Sequence, residues 1–243
     1  MKTTIKKQTG LLLITALFSL NIQAQWNKTI KGNGNIVTVS RTTQDYHAIK
    51  CIGAFDYILT KGTEGQLKLE GEDNILQYIT TEVKGGRLTI KTQKNINIRT
   101  NKDIKISIPV ENVEKIDLVG SGDLWNTSPL NEQNLEISLT GSGDINLDIK
   151  TTNTKALLSG SGDIELKGNT DNLDTKVTGS GDFNSINLNT KNTSVSVAGS
   201  GDAKVVSTEN LKASVLGSGD IVYKGKPKKE DTKVSGSGSI SSY

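Results

Sequence analysis

The chain has 243 residues, 29 Lys and Arg against 26 Asp and Glu, only 4% aromatic residues and 25 glycines. Lys2, Lys6 and Lys7 precede residue 25 and no acid does, so the remainder carries 26 charges of each sign. That balance removes the electrostatic reason to expect nucleic acid or anionic lipid as a partner, and the glycine-rich, aromatic-poor composition disfavours a compact two-layer domain.

The first element in chain order is a secretory signal peptide over residues 1–24. Three lysines open it, Leu11 to Leu20 is apolar, and Asn21-Ile22-Gln23-Ala24 leads to a small residue at the cut. The apolar run is shorter than the roughly 20 residues of a membrane span, and no cysteine follows for lipid attachment. The mature chain is expected in the periplasm, on the cell surface or in the medium, with no transmembrane segment left after cleavage. Trp26, just past the cut, is expected to pack the first strand onto the end of the core.

Residues 25–112 read as strands of lower regularity. Ile36 to Val39, Phe55 to Leu59, Leu67 to Glu70, Leu88 to Ile90 and Ile104 to Ile108 alternate or run apolar, with turns at Lys61-Gly62 and Lys84-Gly85-Gly86. Asp73 to Tyr78 suits a short helical turn. No linker separates this half from residues 113–243, so it is expected to form irregular rungs capping one continuous domain; a separate small β domain is the alternative. Cys51 stands alone, which rules out an intrachain disulfide, and reads as a small buried apolar residue.

From residue 113 to 243 a repeat decides the architecture. Gly-Ser-Gly begins at Gly120, Gly141, Gly160, Gly179, Gly199, Gly217 and Gly236. Asp follows in six copies (Asp123, Asp144, Asp163, Asp182, Asp202, Asp220) and Ser239 in the seventh. Two residues before each first Gly stand Leu118, Leu139, Leu158, Val177, Val197, Val215 and Val234; four after it stand Leu124, Ile145, Ile164, Phe183, Ala203, Ile221 and Ile240. Apolar residues at alternate positions on both sides of a turn are the period of strands facing a core.

One such unit cannot bury its own apolar side. Stacking units about 4.8 Å apart aligns the columns and pairs the backbone between rungs. The fold class is therefore all-β: a single-domain parallel β-helix, or β-solenoid, with rungs of about 19 residues, and right-handed by the usual rule for parallel connections. The glycines are expected to supply turn angles that a Cβ disfavours. Asn134, Asn153, Asn172, Asn192 and Asn210 mark a second corner, where Asn tolerates left-handed backbone and can stack as an amide ladder.

Chemistry is sparse. The repeats contain no His, Arg or Cys, and the sole histidine is His47. No zinc-ligand spacing occurs, no cofactor is expected, and carboxylates spread one per rung are what a structural turn produces rather than a glycosidase or lyase site. The chain reads as a non-enzyme. Carboxylates about 4.8 Å apart would repel by about 0.9 kcal/mol per adjacent pair in water. Either each Asp accepts backbone N–H groups within its own turn, or calcium bridges Asp123, Asp144, Asp163, Asp182, Asp202 and Asp220. Trp125 falls between two inward positions and should point outward, covering the joint with the irregular half or stacking on a partner.

These motifs together resemble one family. Gly53-Ala54-Phe55-Asp56-Tyr57-Ile58-Leu59, the Gly85-Gly86-Arg87-Leu88-Thr89-Ile90 hairpin and the serial Gly-Ser-Gly-Asp rungs look like the head GIN domain family, described as autotransporter adhesin heads and common in Bacteroidetes. The resemblance covers nearly all of the mature chain and implies a β-helical fold, an extracytoplasmic place and an adhesin-like role toward surface glycans or proteins; it brings no site residues. A structural envelope protein and a degenerate carbohydrate-active β-helix enzyme are the alternative classes. At the last rung, Lys226, Pro227, Lys228 and Lys229 are expected to blunt the open strand edge, giving a monomer with weak end-to-end association.

Overall fold

A computed structural model describes residues 28–243, so the expected signal peptide and Trp26 lie outside the described residues. The chain forms an all-β solenoid of about 7 turns, with stacked rungs about 19 residues apart. Its strands in chain order begin with β1 (Lys28–Lys31), β2 (Ile36–Thr42), β3 (Ala48–Gly53), β4 (Asp56–Lys61) and β5 (Gln66–Glu72). A single helical turn, α1 (Asp73–Leu76), precedes β6 (Ile79–Lys84), β7 (Arg87–Thr92), β8 (Ile96–Arg99) and β9 (Lys105–Val110). The regular part holds β10 (Lys115–Gly120), β11 (Leu124–Asn126), β12 (Leu130–Gly141), β13 (Ile145–Gly160), β14 (Ile164–Gly179) and β15 (Phe183–Gly199). It closes with β16 (Ala203–Val206), β17 (Asn210–Gly217), β18 (Ile221–Lys224), β19 (Lys229–Gly236) and β20 (Ile240–Ser242).

The regular rungs stack in parallel with the glycines in register: Gly120 on Gly141, Gly141 on Gly160, and so on to Gly217 on Gly236. In each turn the N–H groups of Ser and of the second Gly both donate to the first Gly carbonyl of the preceding rung; Ser142 and Gly143 reach Gly120 O at 2.9 and 3.1 Å. The two glycines share one requirement, since a Cβ at Gly179 would run into the carbonyl oxygen of Gly160 in the rung beneath, and differ in a second. Gly179 has φ +121°, where side chains are strained. Gly181 does not, yet a Cβ there would run into the carbonyl oxygen of Gly162 in the rung beneath. The turn geometry expected of both glycines thus holds for the first alone, while the rung spacing excludes a Cβ at both.

Rung length varies without breaking the columns. The 20-residue step from Gly179 to Gly199 is absorbed where the register of β14 on β15 shifts between Glu165 and Lys167. Alternate side chains enter one hydrophobic core that runs from Tyr46 to Ile221.

Residues 28–112 are wired differently from an irregular continuation of the coil. β3 lies directly against β10, with Gly53 opposite Gly120, and β4 pairs with β11. On the other side β3 pairs with β7 and β4 with β9, both parallel. Chain order and stacking order therefore part company: β3 and β4 sit between strands that come after them in sequence. Antiparallel pairs then close the stack, β6 on β7, β5 on β9 and β2 on β5. Together with the regular rungs these strands make one 18-stranded sheet, while β1 and β8 form a separate pair.

The closing layer is pinned by a buried carboxylate. Glu72 is fully buried and accepts the N–H of Gly34 at 2.6 Å and of Asn101 at 3.1 Å. Burial pushes its carboxyl up, but these donors and the Asn101 amide outweigh that and hold it below the usual carboxylate range. Asp73 alongside binds the amides of Asn33 and Asn35 at 2.6 and 2.8 Å.

Candidate functional site

Three features of the faces of the stack carry polar chemistry in register. The first is the aspartate column. Asp123 Oδ1 accepts the backbone N–H of Asp144 at 3.1 Å, and the same bond recurs upward to Asp220, which accepts both the N–H and the hydroxyl of Ser239 at 2.7 and 2.9 Å. Backbone donors from each aspartate's own turn are expected from the sequence; the donors instead come from the next rung. Each side chain therefore offsets its repulsion from its neighbour by stapling the two rungs together. All but Asp220 are exposed, so solvent screens them further. Among the described residues no group of three or more His, Cys, Asp or Glu side chains is placed to hold a metal ion.

The second feature is Trp125. It lies on β11 between Ile58 of β4 and Asn146 of β13, half-buried, at the joint of the two regions. With Asp123, Asn126, Asp144, Asn146 and Lys167 it lines a cavity of about 390 Å³. Of the two roles weighed for this outward residue, covering the joint matches its place between β4 and β13.

The third is the asparagine column. Asn153 Nδ2 donates to Asn134 Oδ1 and Asn172 to Asn153, both at 2.8 Å; Asn192 donates to Asn172 at 2.9 Å and Asn210 to Asn192 at 2.5 Å. The amide ladder is present, but none of these residues has positive φ; among the described non-glycine residues only Asn95 does. Beside the ladder runs a groove of about 890 Å³ reaching from Lys115 to Asp231. Its floor is the buried row Leu135, Thr154, Leu173, Thr193 and Leu211. Its far wall is the next outward row, where Lys115, Glu136, Lys155, Asp174, Lys212 and Asp231 bring both signs of charge.

Sequence periodicity marked the residues of the ladder but not the groove, because alternation says which side chains face out and not which way a corner bends. His47, the only histidine, is exposed on the loop before β3, with its ring against Gly86. Cys51 lies fully buried on β3, and burial pushes its thiol well up, away from reactive thiolate.

Comparisons with known proteins agree with this architecture. Residues 45–227 match the family model described as putative auto-transporter adhesin, head GIN domain. A crystal structure of a putative adhesin from Bacteroides fragilis superposes with a TM-score of 0.83 at 26% identity, covering 88% of this chain and 100% of that one. A structure from Parabacteroides distasonis, described as a putative lipid binding protein, gives 0.74 at 28% identity over 89% and 100%. A putative adhesin from Parabacteroides merdae shares the fold at 21% identity, with a TM-score of 0.69 over 89% and 99% of the two chains. No curated protein matches the sequence.

Proposed function

The chain belongs to the head GIN domain family, and from that premise we propose that it is an exported, non-catalytic binding protein that uses its long faces to hold a surface glycan or protein. The family and its solved neighbours support an adhesin-like role and a place at or beyond the cell surface. The observation that carries the reading is the groove beside the amide ladder, which runs with one corner along the regular stack. The aspartates of the repeat, by contrast, stand singly in a column, each occupied by a backbone donor of the next rung. Catalysis of glycoside cleavage needs two carboxyl groups gathered across one bond. The test is binding of the labelled mature protein to glycan arrays and immobilised surface proteins, run beside glycosidase and lyase assays. Saturable binding without turnover is the expected result; polysaccharide cleavage, or no binding to either class of surface, contradicts the proposal.

A further inference from the structure

Resting on that reading, we infer that the groove beside the amide ladder seats an uncharged, unbranched polysaccharide chain, lying along the solenoid axis with about one sugar to each rung. The groove spans seven rungs, from that of Lys115 to that of Asp231, or roughly 29 Å at the spacing of stacked strands. Its occupant is therefore long and linear.

The amides say what that occupant offers. A primary amide has two N–H donors and an oxygen with two acceptor sites. Within the ladder, Asn153, Asn172 and Asn192 each spend one N–H and one acceptor site on their neighbours. One donor and one acceptor remain per rung along the groove wall. A sugar hydroxyl is itself donor and acceptor, so it meets both requirements, and the ladder repeats them over the five rungs from Asn134 to Asn210.

Charge argues against a polyelectrolyte. Four lysines and five carboxylates line the groove, Lys115, Lys155, Lys212, Glu136, Asp174 and Asp231 of the opposite wall among them. Lys115 is tied to Glu136 at 2.7 Å, while Lys155, Asp174, Lys212 and Asp231 have no ion-pair partner among the described residues. Mixed signs at rung spacing cancel beyond a short distance, so neither a polyanion nor a polycation gains from the wall as a whole. Individual charged groups still bind hydroxyls well.

Spacing separates a glycan from a peptide. An extended peptide advances about 3.3 Å per residue and falls out of step with rungs about 4.8 Å apart. A β-1,4-linked pyranose chain advances by close to one rung per sugar with alternate sugars turned over, so it stays in step with the rungs and can repeat a contact at every second one. No aromatic ring lines the groove, so stacking energy is missing and each sugar contributes little. Affinity should accumulate with chain length.

Calorimetric titration of the mature protein with neutral β-1,4-linked oligosaccharides of glucose, N-acetylglucosamine, mannose and xylose tests this. For at least one sugar class, affinity should rise with each added unit and level off at about seven, and it should change little between low and high salt. Ser194→Tyr, which fills the groove midway from an outward position between Asp174 and Lys212, should weaken binding by at least about tenfold with an unchanged melting temperature. Should that variant misfold, Asp174→Tyr blocks the next rung. The inference is overturned if none of these oligosaccharides binds, if binding survives the blocking substitution, or if the blocked ligand proves to be an extended peptide or a polyanion. Surface binding lost in Trp125→Ala but kept in Ser194→Tyr would leave the adhesin-like reading standing and move the site to the other face; no surface binding at all would remove both.

Discussion

The capped half and the regular rungs share one glycine column yet solve the same corner in opposite ways. In the regular rungs the second glycine is obligatory because a carbonyl of the rung beneath occupies the place of its Cβ, as Gly162 does for Gly181. In the rung of β3 and β4 the corner reads Gly53-Ala54-Phe55-Asp56, and Phe55 stands where the second glycine would be. β7 leaves β3 after Ile90, and β9 joins β4 only at Lys105, so no rung backs that corner on the side of the cap. The vacated volume is filled by the Phe55 ring, buried and edge-on to Tyr57 at 6.1 Å between centroids. A glycine column is thus the mark of a neighbour, and a large side chain in it marks where the stack stops repeating.

The sharpest way to break that contrast is Phe55→Ala. It opens a cavity that the regular rungs never contain, and should cost about 3–4 kcal/mol by chemical denaturation. A loss below about 1 kcal/mol would mean that the ring fills no corner. In the opposite direction, Gly181→Val forces a side chain into a backed corner and should cost about 3 kcal/mol. Lys176→Ala, five residues earlier on an outward position, should stay within about 0.5 kcal/mol. Equal effects from those two substitutions would contradict the assignment of turn and face.

Much of the regular half was legible because a motif in tandem displays its own columns. The all-β solenoid, the rung length, the inward rows, the amide ladder and the helical turn near Asp73 all come from spacing. The Gly53 corner was hidden for a physical reason: Ala54 and Phe55 replace Ser and Gly, and its stacking partner Gly120 is far along the chain and not one rung away. A signal was present nonetheless. Ile49 and Cys51 precede Gly53 at the inward offsets of the repeat, and Tyr57 comes after it at the third. The antiparallel closure was not legible, since β2 and β5 alternate like any strand. Nor was the partner of each aspartate, because a carboxylate one bond from its own turn lies equally close to the next rung.

The cap should also differ from the rungs in its response to acid. A carboxyl held below its ordinary range contributes stability above that range and loses it as pH falls through the lowered value. Glu72 is such a group. Acidification below the usual glutamate range should therefore lower the protection of the Gly34 and Asn101 amides, relative to their intrinsic exchange, while leaving the glycine-corner amides of the regular rungs protected. Glu72→Gln should abolish that pH dependence, and its persistence would assign the loss elsewhere. The smallest effect is expected from calcium. With each aspartate already accepting a backbone N–H, excess calcium should leave the melting temperature unchanged. A ligand specific to the fold at a hundred times its Kd would add about 2.7 kcal/mol and be seen at once, so a chelator-reversible rise would restore the column as a metal site.

The most direct test of the shared stack is hydrogen exchange at the seam. Ser121 and Gly122 donate to Gly53 O at 3.1 and 3.0 Å, as Ser161 and Gly162 donate to Gly141 O at 2.9 and 3.1 Å. If the β3–β4 rung is the first of the same series, the two pairs of amides should be protected to a similar degree and released together as denaturant is raised. Rapid exchange at Ser121 and Gly122, with Ser161 and Gly162 still protected, would show two separately opening units and contradict the account.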